Sequence, residues 1–126
     1  PHSGTCRLHC YISMKPSAEG QAKNAAMTAF GEDLALKLVV VVDDDVDVFD
    51  EEDVLWAVAT RMQADRDVFI VPNMMGAILD PSTRAGTTAK MAIDATRPLG
   101  AYPRRHTLPD EARARARVLI EGRRRI

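Results

Sequence analysis

Carboxylates crowd the middle of this chain. Asp43, Asp44, Asp45 and Asp47 stand together, and Asp50, Glu51, Glu52 and Asp53 follow closely. They come directly after Leu38-Val39-Val40-Val41-Val42, an apolar β-branched run. Acids at the carboxyl end of a buried strand suit magnesium, often together with substrate phosphates. A calcium loop is a second chemistry to test. Asp43, Asp45 and Asp47 match its first three ligands, but the obligatory glycine position holds Val48 and the closing glutamate position holds Val54, so an EF-hand is excluded. A phosphoryl site would call for a glycine-rich loop or a P-loop lysine, and no lysine stands directly beside the cluster. The competing reading is a strand-exit turn whose carboxylates cap the next helix and pair with arginines. Two readings of the cluster therefore stand at this point. One is this structural turn. The other is a free-standing α/β module that binds magnesium and a phosphorylated ligand through the turn at 43–47.

Other reactive side chains form no constellation. His2, His9 and His106 are scattered, and no Ser-His-Asp arrangement stands out. His9 reads as a surface or interface histidine. Cys6 and Cys10, four residues apart on one face of a strand, would be separated by roughly 13 Å, too far for a disulfide. They read as buried thiols of a reducing compartment, and two thiols without a partner pair do not make a zinc site.

The elements that must position these groups follow from periodicity. Cys6, Leu8, Cys10, Ile12 and Met14 alternate with Arg7, His9, Tyr11 and Ser13, which predicts a half-buried strand. A helix is expected over 19–30, rich in alanine and closed by Gly31 as its C-cap. Gly20 in its first turn costs helix stability and would mark a close backbone contact. Residues 38–42 read as a strand buried on both faces. Asp50 is the expected N-cap of the next helix, whose buried stripe would be Val54, Leu55, Val58, Ala59 and Met62. A third strand is expected over 68–71, ended by Pro72, and a further short one around 77–79. Residues 84–88 read as a loop and 90–94 as the last strand. Thr107-x-x-Asp110 opens a final helix to about Glu121, with Ala112, Ala116, Leu119 and Ile120 as its stripe. The fold class is α/β, in two or three layers, with a mixed sheet of about four to five strands and flanking helices.

Length and charge bound the rest. A chain of 126 residues with 46% apolar content reads as one domain with an ordinary core. The division expected is an α/β domain over 1–100, then a proline-containing linker and an Arg-rich helix over 101–126. No apolar run approaches a membrane span, and the opening Pro1-His2-Ser3-Gly4 is not a signal peptide, so a cytoplasmic setting is expected. That opening also suggests a piece of a longer polypeptide, cut near a domain boundary. Net charge is −1, but residues 32–53 hold ten carboxylates against Lys37, while eight arginines lie from Arg104 onward. No aromatic residues interleave with those arginines, so the tail reads as a solvated helix face or a subunit contact to the acidic middle. Nucleic acid is not an expected partner.

Five blocks in register carry a resemblance. Asp44-Asp45-Val46-Asp47, then Val54-Leu55-Trp56-Ala57 with Thr60-Arg61, is similar to a signature of the UbiD family of decarboxylases. Tyr11-Ile12-Ser13-Met14 with Gly20-Gln21-Ala22-Lys23, Leu79-Asp80-Pro81-Ser82, and Lys90-Met91-Ala92-Ile93-Asp94-Ala95-Thr96 resemble its flanking blocks. The resemblance spans about residues 6–100 and implies the C-terminal domain alone. It implies a parent enzyme that reversibly decarboxylates an aromatic or α,β-unsaturated acid with prenylated FMN, a divalent metal (Mn or Mg) and K. In that family the catalytic Arg and two Glu, and the residues holding cofactor and metal, mostly belong to an upstream domain of the same polypeptide. No catalytic, cofactor-binding or metal-binding residue is therefore carried onto this chain, no cofactor is expected bound to it, and by itself it is expected to be inactive. The domain's implied roles are subunit interface in a homo-oligomer (dimer or higher) and lid over the active site. The lid positions are Ala77, Ile78 and Leu79, for which plain core packing is the competing reading. Lys37 is not clearly in register with the lysine that some members place near the cofactor phosphate.

Overall fold

The computed structural model describes residues 7–123. Cys6, at the start of the first expected strand, and Arg124 and Arg125 of the tail lie outside the described residues. In chain order the elements are β1 (His9–Met14), α1 (Gln21–Glu32), β2 (Leu38–Asp43), α2 (Glu51–Arg61), β3 (Val68–Met75), β4 (Thr87–Ala95) and α3 (Asp110–Arg123). The four strands form one mixed sheet in the order β1-β2-β4-β3. β1, β2 and β4 run parallel, and β3 pairs antiparallel with β4.

The valine run explains the layering. In a strand, alternate side chains face opposite ways, so Val39 and Val41 meet α1 while Val40 and Val42 meet α2. The α1 side packs Ala22, Ala26 and Phe30 on Val39, Val41 and Ala92. The other side packs Val54 and Ala57 on Val40, Val42 and Ala95. The alanines let the helix backbones come close to the sheet. The result is three layers, and fully burying each valine contributes about 1.5–3 kcal/mol. β1 is covered on both faces: Cys10, Ile12 and Met14 join the α1 side, and Tyr11 joins the α2 side.

Several local expectations change. Gly31 lies inside α1, and Asp33 is the C-cap. Gly20 is the N-cap at φ +82°, and nothing lies within 4 Å of a Cβ placed there, so left-handed backbone, not crowding, requires glycine. The buried face of α2 is Val54, Ala57 and Arg61, while Leu55 and Ala59 are exposed. β3 does not stop at Pro72: it continues to Met75 through a register shift between Val71 and Met74. Proline is tolerated there because β3 is an edge strand with a bulge. Residues 77–79 form a turn, not a strand, and Thr87 and Thr88 belong to β4. The stripe of α3 is not buried; no residue of that helix is.

Candidate functional site

The carboxyl edge of the parallel strands holds the acidic turn. Asp43, the last residue of β2, is buried, and its Oδ2 accepts from Arg61 Nη1 at 2.7 Å and from the Arg97 amide at 2.8 Å. Arg97 Nε stands 3.4 Å from the same oxygen. Asp45 takes Arg61 bidentately, Nη1 to Oδ1 and Nη2 to Oδ2, both at 2.9 Å. Such forked pairs are among the stronger charge-assisted bonds. The Arg61 fork holds the Asp45 carboxyl below its ordinary range, against a smaller opposing effect of burial. The remaining acids are engaged locally. Asp53 accepts from the Asp47 amide at 2.9 Å and pairs with Arg105 at 2.6 Å. Asp47 accepts from the Phe49 amide, and Asp50 caps α2 through the Glu52 amide.

This arrangement leaves little for a cation. Asp43 and Asp45 point their oxygens at guanidinium groups, and Asp47, Asp50 and Asp53 accept from backbone amides. Among the described residues, no group of three His, Cys, Asp or Glu is placed to hold a metal ion. Pairing with arginines was one of the two readings of the cluster; which arginines take part was not legible in the sequence. Arg61 lies 18 and 16 residues from its two acids and Arg97 lies 54 from Asp43, so no spacing rule joins them. His9 is half-buried in β1; His106, exposed on the linker before α3, shares a small pocket with Asp45, Arg61 and Arg97 but makes no hydrogen bond to the acids.

The opposite edge of the sheet is built differently. There the amino ends of β1 and β2 meet the carboxyl end of the antiparallel β3. An open, largely apolar groove of about 970 Å³ lies here, with Leu8, Leu34, Met75, Ala77, Ile78 and Leu79 among its lining residues. Its tip is the turn after β3. The Asp80 amide donates to the Ala77 carbonyl at 3.0 Å, and Asp80 Oδ1 accepts from the Ser82 amide at 3.0 Å and its hydroxyl at 2.8 Å. Lys37 Nζ stands 2.8 Å from Asp80 Oδ2. The Lys37 ammonium, then Ser82, hold the Asp80 carboxyl far below the usual range. Gly76 admits this close packing: a Cβ there would fall 2.9 Å from Thr83 Oγ1 and 3.0 Å from its Cγ2.

The anchored turn pushes its apolar residues outward. Ile78 is 99% exposed and Leu79 is 92% exposed, while Ala77 is half-buried. Core packing is therefore not what Ile78 and Leu79 do in this chain. The groove's other wall, the segment between α1 and β2, is fixed from beneath. Lys90, fully buried, donates to the carbonyls of Leu34 (3.0 Å) and Asp33 (3.3 Å), with its ammonium 5.5 Å from the Phe30 ring centre. Burial pushes this lysine's pKa down, opposed by the Asp33 charge. Asp33 also accepts from the Ala35 amide and from Arg7. Neither the Lys90 prop nor the Lys37–Asp80 pair was read from the sequence. The lone lysine inside the alternating run at 90–94 was the available signal for the first.

With the geometry in hand, comparison with known proteins defines the class. Residues 1–95 match the family described as the 3-octaprenyl-4-hydroxybenzoate carboxy-lyase C-terminal domain, UbiD, and the chain belongs to that family. It is 53% identical over 94 residues to anhydromevalonate phosphate decarboxylase of Aeropyrum pernix, covering 75% of this chain and 22% of that protein. The UbiD-class enzyme HmfF from Pelotomaculum thermopropionicum, solved with FMN, superposes with a TM-score of 0.83 at 48% identity, over 90% of this chain and 26% of that one. An evolved dimeric form of HmfF, solved with prFMN, gives 0.70 at 39% identity, over 89% and 23%. Vanillic acid decarboxylase of Sedimentibacter hydroxybenzoicus, solved in closed and open forms, gives 0.65 at 36% identity for both, over 87–92% of this chain and 26–27% of that one. The chain thus spans about a quarter of the length of these relatives. No described helix is long and apolar enough to cross a membrane.

Proposed function

We propose that this chain works as the cap and subunit interface of a UbiD-like decarboxylase, joined to an upstream cofactor-binding domain of the same polypeptide. In this reading Ile78 and Leu79, with Ala77 behind them, form the roof of the active site. The observation that carries it is the exposure of two large apolar residues on a turn held by Asp80, Ser82 and Lys37. A mobile loop would hide such residues against its own domain. A rigid tip that presents them to solvent is built to meet another surface. Vanillic acid decarboxylase, a relative, has been solved open and closed, which supports a cap that moves.

The reaction proposed is the reversible decarboxylation of an aromatic or α,β-unsaturated acid, in a cytoplasmic homo-oligomer. Prenylated FMN, with a divalent metal and K, would serve as the electron sink as carbon dioxide leaves. The groove suits the flat apolar body of a ring system, and its one lining cation, Arg7, is paired with Asp33. Lys37 is committed to Asp80 and Ser82, and the lining beside the turn is apolar. The cofactor's polar parts and the metal are therefore assigned to the upstream domain. This chain contributes exclusion of water, which strengthens every charge interaction beneath it, and shape selection of the acid. The magnesium-module reading is not favoured, because guanidinium groups already occupy Asp43 and Asp45.

The test is made in the cofactor-loaded enzyme that contains this domain. Leu79→Ala is expected to shift the ratio of kcat/KM between a bulky and a small acid by about tenfold, within the range for apolar pocket contacts, with the melting temperature unchanged. An unchanged ratio, or a marked fall in melting temperature, would count against the roof. The 126-residue chain alone is expected to release no carbon dioxide from any of these acids.

A further inference from the structure

We propose that the pocket between α2 and residues 97–106 binds a phosphate group, as the free ion or as the monoester of a small metabolite. Guanidinium groups would hold it, and no metal cation takes part. The pocket lies at the carboxyl edge of the parallel strands, opposite the groove that holds Ile78 and Leu79.

Charge is the first observation. The pocket, of about 320 Å³, is lined by Arg61, Arg97, Arg104 and Arg105 against a single carboxylate, Asp45. Outside it, Asp43 pairs with Arg61 and Arg97, and Asp53 pairs with Arg105. Four guanidinium groups thus stand against three carboxylates, and the surplus is positive. Arg104 supplies that surplus. It is exposed, and among the described residues it pairs with no carboxylate.

An unanswered donor is the second. Arg61 has a side chain only 1% exposed. Its Nη1 serves both Asp43 and Asp45, and its Nη2 serves Asp45. Its Nε, on the remaining edge of the planar group, is buried and has no hydrogen-bond partner among the described residues. Buried donors of a charged group are seldom left so. The Nε–Nη2 edge of a guanidinium is a fork that matches two oxygens of a phosphate.

The walls are fixed in place. Tyr102 donates to the Thr60 carbonyl at 2.9 Å, and Arg105 pairs with Asp53 while lying 3.9 Å from the Trp56 ring centre. Arg61 lies 5.0 Å from the same ring centre. The indole supports both cations without competing for their donors. Arg61 is buried and Arg104 is exposed, so the pocket's cations lie at different depths. A flat carboxylate fills one fork, whereas a phosphate has three oxygens to share among several cations. The setting also fits. α1 and α2 pack on opposite faces of the sheet, and open α/β sheets of this kind take ligands at the carboxyl ends of their strands. A neighbouring pocket of about 260 Å³ shares Arg97 and Tyr102 and adds Lys15, which gives the test an internal comparison.

Trp56 is the only tryptophan of the chain, so its fluorescence reports on this pocket. The 126-residue chain is titrated with inorganic phosphate and, separately, with glycerol phosphate, in EDTA and with sodium chloride and acetate at matched ionic strength as blanks. Calorimetry repeats each titration. The expected result is saturable binding of phosphate with a dissociation constant of about 1 mM or tighter, a raised melting temperature, and no saturation with chloride or acetate. Arg104→Ala should weaken binding about tenfold and leave the circular dichroism and the phosphate-free melting temperature unchanged, because Arg104 is exposed. Lys15→Ala should leave binding unchanged. Glycerol phosphate bound as tightly as inorganic phosphate assigns the site to monoesters, and inorganic phosphate bound alone assigns it to the free ion. A response that follows ionic strength only, equal binding of acetate, or binding indifferent to Arg104→Ala overturns the proposal. Binding lost in Lys15→Ala but not in Arg104→Ala overturns it too, by placing the ion in the neighbouring pocket.

Discussion

At the carboxyl edge of the parallel strands, the buried charges are answered by arginines. Asp43 and Asp45 close on Arg61 and Arg97, and Arg61 has a side chain only 1% exposed. At the amino edge, Lys37 pairs with Asp80 and Lys90 with the carbonyls of Asp33 and Leu34 beside an apolar surface, at Ile78 and Leu79, that no described residue covers. In open α/β sheets, ligands ordinarily bind outside the carboxyl ends of the strands. Here that edge holds only small pockets, of about 320 and 260 Å³, whose acids are paired with arginines, and the wider apolar groove of about 970 Å³ sits at the other end. The difference teaches that a conspicuous acidic sequence can be entirely structural. The large residues left facing solvent are two aliphatics on a tight turn, Ile78 and Leu79.

Four outcomes would break or sharpen this contrast. The largest effect is expected from Arg61→Ala, which leaves buried Asp43 with Arg97 alone. Losing one partner of a buried pair costs roughly 3–5 kcal/mol, a large share of the total stability of a small domain. Urea unfolding measures it, and a loss below about 1 kcal/mol would mean that the pairing is ornamental. Gly76→Ala comes next. Its Cβ would press on Thr83 and Thr88, and overpacking of this kind costs about 1–3 kcal/mol. Adding Thr83→Ala should recover part of that loss if the crowding is where the distances put it.

The third outcome concerns acid. The carboxyls of Asp45 and Asp80 are held below their ordinary values by Arg61 and Lys37 respectively. A carboxylate with a lowered folded pKa contributes stability that is complete above the unfolded value, about 4, and is lost as pH falls through the folded value. The urea midpoint should therefore show no contribution from these groups to its pH dependence above about pH 4.5, and should fall below about pH 4. Asp45→Asn should make that fall shallower, and an acid limb unchanged by it would argue that Asp45 is solvated. The smallest effect is expected from Ile78→Ser or Leu79→Ser in this chain. Both residues are almost wholly exposed, so stability should move by less than about 0.5 kcal/mol. A larger loss would show that the turn packs on its own domain after all.

Much of the frame was legible from local pattern. The valine run, the alternation in β1, the Asp50 cap and the α/β order all depend on neighbours within a few residues, where periodicity and capping rules apply. The errors have physical causes. Pro72 reads as a strand end unless the strand is known to be an edge. Leu55 reads as buried unless it is known that Arg61 takes the inward position for the sake of Asp43 and Asp45. The stripe of α3 reads as core because an apolar helix face implies a cover without saying whose.

From its sequence alone this chain determined its α/β order, the Asp50 start of α2 and, through five blocks in register, its family, because each is written in contiguous residues. Tertiary structure decided which edge of the sheet is tied by ion pairs and which carries the wide apolar groove. That decision rests on Arg61 meeting Asp43 and Asp45, Lys37 meeting Asp80, and Lys90 meeting the end of α1. These groups lie 16 to 57 residues apart, and only the folded chain brings them within bonding distance.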